Sequence, residues 1–163
     1  METRKIIDFS SPSLDEFRKH LRITSHDLDG ELEAKLRSAI VSAEHEISTV
    51  IVPSSFTKRV RFCTSIELRW PVRTVTSVKV DGVAIPSENY EVDEASVTFT
   101  DSVQGKQVEI EYEAGLEQVP PDVQSAILLL AGSLFNNLTD RPEERDRTTA
   151  RNLLRPYRTW GEH

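Results

Sequence analysis

Few residues in this sequence could bind a metal or act as a nucleophile. The histidines are His20, His26, His45 and His163. No two of them have the spacing of metal ligands, and the helix around His45 lacks the second histidine of a zinc protease. Cys63 has no helix start or histidine near it in sequence that would activate it, so an inert thiol is the better interpretation. We therefore expect no metal, no cofactor and no catalytic residue.

Two short stretches resemble ligand-binding motifs only in part. Residues 27–31 look like part of a calcium loop, but Ser38 stands where the bidentate glutamate should be. Gly105 and Lys106 lack the upstream glycine and the following serine or threonine of a phosphate loop, and neither GxGxxG nor GxSxG occurs. These findings favour a binding or structural protein. A small cytoplasmic enzyme with a site assembled from scattered residues remains an alternative.

Charge is distributed unevenly along the chain. The net charge of -7 argues against a surface that attracts phosphate everywhere. Residues 57–80 carry six Lys and Arg and one Glu, whereas residues 81–118 carry ten Asp and Glu and one Lys. Solvated faces would explain any single residue, and a nucleic-acid-binding module that uses the basic segment is a second alternative.

The elements that must position these residues follow from hydrophobic periodicity. Ser13 with Glu16 forms a capping-box pattern that predicts a short first helix, and an apolar stripe from Leu32 predicts a long second helix that begins at Asp27 or Asp29. From Thr57 the period changes to two, which predicts antiparallel strands with one wet face. The turn Asp81-Gly82 is typical of a tight hairpin.

The C-terminal part is predicted to be helical again. A third helix begins at Pro120-Pro121 and a fourth, polar helix covers residues 143–154. The pattern predicts an α+β fold, in which a small bundle of N-terminal and C-terminal helices carries an inserted antiparallel β module. We expect a single domain over residues 1–163, with N-terminal helices in 10–56, the β module in 57–115, and the C-terminal helices and tail in 119–163. The first residues contain no apolar run able to act as a signal peptide, which predicts a protein made and kept in a cytoplasm without a membrane span.

Three segments of the chain resemble a known family. They are residues 13–23 with the long helix that follows, residues 70–82 beginning Trp-Pro-Val-Arg, and residues 108–130, in which a strand is followed by Gly115, Pro120-Pro121 and a helix. In this order they resemble the phage head-tail connector adaptors, the head-completion proteins of long-tailed phages and prophages. Residues 135–138 depart mildly from that family's pattern.

The resemblance implies a structural virion protein without enzymatic activity. It implies a ring, of twelve subunits in the virion, that lies under the portal, completes the DNA-filled head and allows tail attachment. The implied partners are other copies of the chain, the portal protein, a downstream stopper or tail-completion protein, and double-stranded DNA that passes through without sequence-specific binding. The implied location is the head-tail interface of a virion assembled in the bacterial host cytoplasm.

Three sets of residues are candidates for these contacts. The interface set, expected to face an acidic segment of the next subunit, is Arg59, Arg61, Arg69 and Arg73. The acidic set, expected in the channel wall or in the same interface, is Asp101, Glu109, Glu111 and Glu113. The portal set, expected by similarity to dock on the portal, is Arg151, Arg155, Tyr157 and Trp160. A solvated terminal helix is the alternative for the portal set.

Overall fold

The structure, a computed structural model, describes residues 1–7, 11–137 and 143–158. It has 40% helix and 29% strand, with antiparallel sheets, so the predicted α+β fold class is confirmed. The described residues divide into two compact units. Residues 1–7 and 52–117 form the first, called the β unit below, and residues 11–51, 118–137 and 143–158 form the second, called the helical unit. Within these described ranges no helix is long and apolar enough to cross a membrane.

The β unit contains two antiparallel sheets. The larger sheet consists of β1 (Glu2–Ile6), β2 (Ser54–Arg61), β4 (Val72–Val80), β5 (Val83–Ala84) and β8 (Gln107–Ala114). Its strand order is β1-β2-β8-β4-β5, so β8 lies at its centre. The smaller sheet consists of β3 (Ser65–Glu67), β6 (Tyr90–Asp93) and β7 (Ser96–Phe99), in the order β3-β7-β6.

The core of the β unit follows from alternation along the strands. In β8 every second residue, from Val108 to Ala114, is buried, while the glutamates between them are partly or fully exposed. Tyr112 stacks on Phe56 of β2 with ring centroids 5.2 Å apart, and Phe62 contacts Phe99 of β7 at 5.4 Å. The two-residue period therefore predicted correctly which side of the larger sheet is dry.

Two turns depend on backbone conformations that glycine permits. Asp81 and Gly82 both have positive φ, as expected for the tight Asp-Gly hairpin between β4 and β5. Gly115 ends β8 at φ 136°, where an added Cβ would lie 2.9 Å from backbone atoms of Pro53. Gly115 therefore permits both a strained φ and a close backbone approach.

The helical unit contains α1 (Leu14–Leu21), α2 (Asp29–Ile47), α3 (Pro121–Asn136) and α4 (Glu144–Leu154). The predicted capping box is confirmed: the Glu16 N–H donates to the Ser13 hydroxyl at 3.2 Å, and the Ser13 N–H donates to the Glu16 carboxylate at 2.7 Å. Proline occupies the first turn of α3, as predicted. α2 ends at Ile47, because Ser48 adopts a left-handed conformation.

The core of the helical unit lies where α2, α3 and α4 pack together and α1 packs against α2 and α3. α2 contributes an apolar stripe of Leu32, Leu36, Ala39, Ile40, Ala43 and Ile47, all buried. α3 is buried over most of its surface, whereas α4 buries only Ala150 and Leu154. The outer side of α4 therefore keeps its arginines in solvent.

Candidate interaction surfaces

The wet face of the larger sheet carries a row of charges across three strands. Glu109, Glu111 and Glu113 alternate with the buried residues of β8 and so project from the opposite face. Arg59 of β2 and Lys79 of β4 both lie opposite Glu109 in the strand register. The register thus brings the basic segment and the acidic segment of the same chain together.

Glu109 is the centre of this charge cluster. It accepts a hydrogen bond from the Arg59 guanidinium, and Lys79 Nζ lies 3.2 Å from carboxylate oxygens of both Glu109 and Glu111. Hydrogen bonds first from Arg59 and then from Lys79 hold the pKa of Glu109 below its ordinary value. Hydrogen bonds to Glu109 and then Glu111 raise the pKa of Lys79. Glu109 and Lys79 are therefore ionised at neutral pH, and the charges of the cluster are neutralised largely within one chain.

A second charge cluster lies at the dry side of β1. Arg69 Nε is 2.7 Å from the Glu2 carboxylate, which also accepts a 2.8 Å hydrogen bond from the Tyr112 hydroxyl. Burial alone would raise the pKa of Glu2, but the hydrogen bonds from Arg69 and Tyr112 outweigh it and lower the pKa. Burial, together with the nearby Glu2 carboxylate, raises the pKa of Tyr112. Arg69 is therefore tied to β1 of its own chain.

The structure separates the members of the interface set and of the acidic set. Arg59 and Arg69 form ion pairs within the chain, whereas Arg61 and Arg73 are exposed and form no ion pair with the described residues. Glu113 and Asp101 are likewise exposed without an ion-pair partner among residues 1–7, 11–137 and 143–158. Half of each set is thus available for contacts with another molecule.

The outer face of the smaller sheet is acidic, and of its carboxylates only Asp101 belongs to the acidic set. Glu91 and Asp93 of β6 are exposed, and Glu67 of β3 is exposed at the other edge of this sheet. Glu88, Glu94 and Asp101 lie in the adjoining turns. The sequence has no Lys or Arg between Lys79 and Lys106, and this absence was the signal that could have identified the acidic face.

The helical unit carries arginines around a groove between α2, α3 and α4. Arg151 Nε lies 3.1 Å from the Glu46 carboxylate, and Arg158 donates to the same carboxylate at 2.8 Å. Arg155 is exposed in the short 3-10 turn that follows α4, and Tyr157 is partly buried there. Trp160, the remaining member of the portal set, lies outside the described residues.

Three solved structures with the same fold come from gene transfer agent (GTA) particles. A chain of the neck of an empty GTA particle computed with C6 symmetry is 22% identical, with a TM-score of 0.74 over 97% of this chain and 96% of that chain. A chain from the virion of a native gene transfer agent (GTA) particle is 21% identical, with the same TM-score and coverage. A chain of the neck of a native GTA particle computed with C12 symmetry is 19% identical, again at 0.74 over 97% and 96% of the two chains.

These structural likenesses establish a shared fold over nearly the whole chain. No family model matches the sequence, and no curated protein matches it. The fold of this chain is thus found in neck structures, whereas membership of the adaptor family stays a prediction.

The described His, Cys, Asp and Glu side chains, which could bind a metal or take part in catalysis, are dispersed over both units. Within the described part of the chain, no three His, Cys, Asp or Glu residues come together in a way that could hold a metal ion. The exposed Cys63 thiol donates to the carbonyl of Ser65 at 3.1 Å. The organised features are instead charged faces and the arginine-lined groove, which are suited to binding another macromolecule.

Proposed function

We propose that this chain is a structural protein of a phage-like particle, a head-tail connector adaptor that forms a ring in the neck. The observation that carries the proposal is the fold, which matches chains of GTA neck structures over 97% of this chain, including one computed with C12 symmetry. The three connector-like segments support the same location, at the head-tail interface of a particle. In this role the chain has no catalytic site and needs no cofactor.

The unpaired charges support assembly into a ring. A closed ring needs two different, complementary surfaces on each subunit, because each copy contacts the next head to tail. Arg61 and Arg73 offer positive charge without an ion-pair partner among the described residues, and the outer face of the smaller sheet offers negative charge. We therefore assign the subunit contact to Arg61 and Arg73, with Arg59 and Arg69 acting mainly within the chain.

The acidic residues support a second role, in a channel for DNA. Carboxylates repel phosphate, so an acidic wall keeps a duplex from adhering as it passes. Glu113 and Asp101 suit this role because no described cation neutralises them, whereas Glu109 and Glu111 contact Lys79. The DNA would pass without sequence-specific binding.

The C-terminal part of the chain is the proposed contact with the portal. Arg155 is exposed, and the groove beside α4 keeps Arg147 and Arg151 at its rim. The opposite side of the ring would receive a stopper or tail-completion protein. In this proposal the ring is assembled in the host cytoplasm and stays in the virion at the head-tail interface.

Removing the chain from the particle tests this function. We expect electron microscopy of particles made without it to show DNA-filled heads that lack tails, because the ring that receives the tail is missing. Supplying the wild-type chain from a plasmid is the control and should restore tailed particles. Purified chain mixed with portal protein should in addition form rings with a central hole. Tailed particles with an intact neck in the absence of the chain would overturn the proposal.

A further inference from the structure

The groove of the helical unit has an apolar floor. It lies between α2, α3 and α4 and encloses about 510 Å³. The apolar residues that line it are Leu130, Leu134, Ala150 and Leu154. This volume falls within the range of roughly 300–1,000 Å³ that is typical of binding pockets. The groove therefore has room for a large aromatic side chain.

The α2 side of the groove rim offers hydrogen-bond acceptors. The Ser38 hydroxyl donates to the Ala34 carbonyl at 3.0 Å, and the Ser42 hydroxyl donates to the Ser38 carbonyl at 2.9 Å. A hydroxyl whose hydrogen is used in this way still has oxygen lone pairs that can accept a hydrogen bond. Both serines line the groove and are exposed. The groove therefore suits a side chain that is mostly apolar but carries one donor, as tryptophan does.

The chain that follows α4 is bound to the rim of this groove. Leu154, the last residue of α4, lines the groove, and the 3-10 turn Arg155–Tyr157 follows it directly. Arg158 donates to the Glu46 carbonyl at 3.0 Å and to the Glu46 carboxylate at 2.8 Å, and Glu46 also lines the groove. Trp160 comes two residues after Arg158, and two residues span at most about 7 Å. The indole of Trp160 is thus within reach of the groove.

We infer that Trp160 occupies the groove of its own chain until the portal binds there. The indole packs on the leucines of the floor, and its N–H donates to a serine hydroxyl of the rim. Glu162 supplies a negative charge for Arg147, which lines the groove and has no ion pair with any described residue.

The inference rests on the proposed portal contact and adds its regulation. A free subunit keeps the groove filled, and the portal opens it only by binding more favourably than the tail does. Once displaced, Trp160 becomes available to the portal together with the rest of the portal set.

An engineered disulfide in the purified chain tests the occupant of the groove. In a Cys63→Ser background, Ser42→Cys places a thiol on the rim and Gly161→Cys places one beside Trp160. Mild oxidation at low protein concentration should join them within one chain, which then migrates faster as a monomer on a non-reducing denaturing gel. The matched control pairs Gly161→Cys with Glu31→Cys, since Glu31 is exposed on α2 but does not line the groove.

The gel separates three outcomes. A fast-migrating monomer from the Ser42 pair alone supports the inference. Equal disulfide formation in the control pair, or none in the Ser42 pair, would overturn it. Disulfide-linked dimers would also overturn it, because the tail would then enter the groove of another copy.

Tryptophan fluorescence supplies an independent readout. The chain has two tryptophans, so Trp70→Phe leaves Trp160 as the only one. Its emission should be blue-shifted and poorly quenched by acrylamide, and adding Ser42→Arg should shift it to the red and raise quenching several-fold. Ala34→Arg is the matched control, since Ala34 is exposed on α2 but does not line the groove. Equal emission from the two arginine variants, with circular dichroism showing both folded, would contradict the inference.

The disulfide-locked chain distinguishes this regulation from the proposed function. The locked chain should lose binding to purified portal protein, and reduction should restore it. Equal binding before and after reduction would refute the regulation and leave the portal contact in place. A chain that forms the Ser42 disulfide but fails to bind portal even after reduction would support Trp160 as the occupant and refute the portal contact.

Discussion

The pKa of Glu2 depends on partners that are far away in sequence. Its carboxylate receives hydrogen bonds from Arg69 and Tyr112, so its pKa is held below the ordinary value of 4.5. A carboxylate whose pKa is lowered by folding binds protons more weakly in the folded state than in the unfolded state. Its contribution to the free energy of unfolding is therefore complete above pH 4.5 and is lost as the pH falls from there through the lower folded-state pKa.

Replacing Glu2 with glutamine should expose this linkage. We expect Glu2→Gln to lower the free energy of unfolding at pH 7 by about 1 kcal/mol, because the charged acceptor is lost. The difference between wild type and variant should shrink when urea unfolding is repeated at pH 3, because the Glu2 carboxyl of the unfolded wild type is then protonated. Glu88→Gln is the control, since Glu88 is exposed and forms no ion pair with the described residues. A difference that is the same at both pH values would refute the linkage.

The sequence revealed the types of these residues but not their partners. Arg59 and Arg69 were expected to face another subunit, and each forms an ion pair inside its own chain. Ion pairing across a sheet depends on register, and the alternation of residues along one strand gives no register with another strand. Arg61 and Arg73, which have no ion-pair partner among the described residues, could be identified only after the pairing of β2, β4 and β8 was known.

In the segment that joins β8 to α3, the position of Gly115 has no space for a side chain. Gly115 has φ 136°, and its missing Cβ would lie 2.9 Å from backbone atoms of Pro53 and Val52. These backbone atoms cannot move aside as the end of a flexible side chain can. A larger residue at position 115 must therefore displace the end of β8.

Gly115→Ala should therefore lower stability by about 1–3 kcal/mol. For a chain of this size, calorimetry should show a decrease in Tm of about 2–4 °C for each kcal/mol. Gly30→Ala is the matched control, because an added Cβ at Gly30 has nothing within 4 Å in the first turn of α2. It should leave Tm unchanged or raise it, since alanine favours helix over glycine by up to about 1 kcal/mol. Similar losses in the two variants would contradict the steric argument.

The helices and turns that could be predicted were those with strong signals in adjacent residues of the sequence. The capping box of α1, the proline of α3 and the Asp-Gly hairpin were predicted because each is a short-range interaction encoded by adjacent residues. β1 was not predicted, because Glu2–Ile6 lacks an apolar alternation and is a strand through its pairing with β2. Charged edge strands of this kind also discourage unwanted pairing.

At the scale of the whole molecule, the distribution of unpaired charge predicts which arginines matter for assembly. We expect the double variant Arg61→Glu and Arg73→Glu to abolish ring formation while leaving thermal stability close to wild type, because neither residue has an ion-pair partner among the described residues. Arg59→Glu should instead lower stability, since it places a like charge beside Glu109. Negative-stain microscopy and calorimetry on the same samples measure both effects.

The double variant Lys19→Glu and Arg145→Glu controls for the change in net charge, because both residues are exposed and lie outside the interface set. Rings formed by the Arg61 and Arg73 variant as readily as by this control would contradict the assignment of the subunit contact.

The central position of β8 also constrains how the chain folds during synthesis. β2 ends at Arg61 and β4 at Val80, yet both pair mainly with β8, which begins only at Gln107. A ribosome-bound chain that ends before Gln107 therefore holds two long strands without their shared neighbour. Such sequence-distant pairing folds slowly and leaves strand edges open to other chains. We therefore expect chaperone protection of this nascent segment to raise the yield of folded chain.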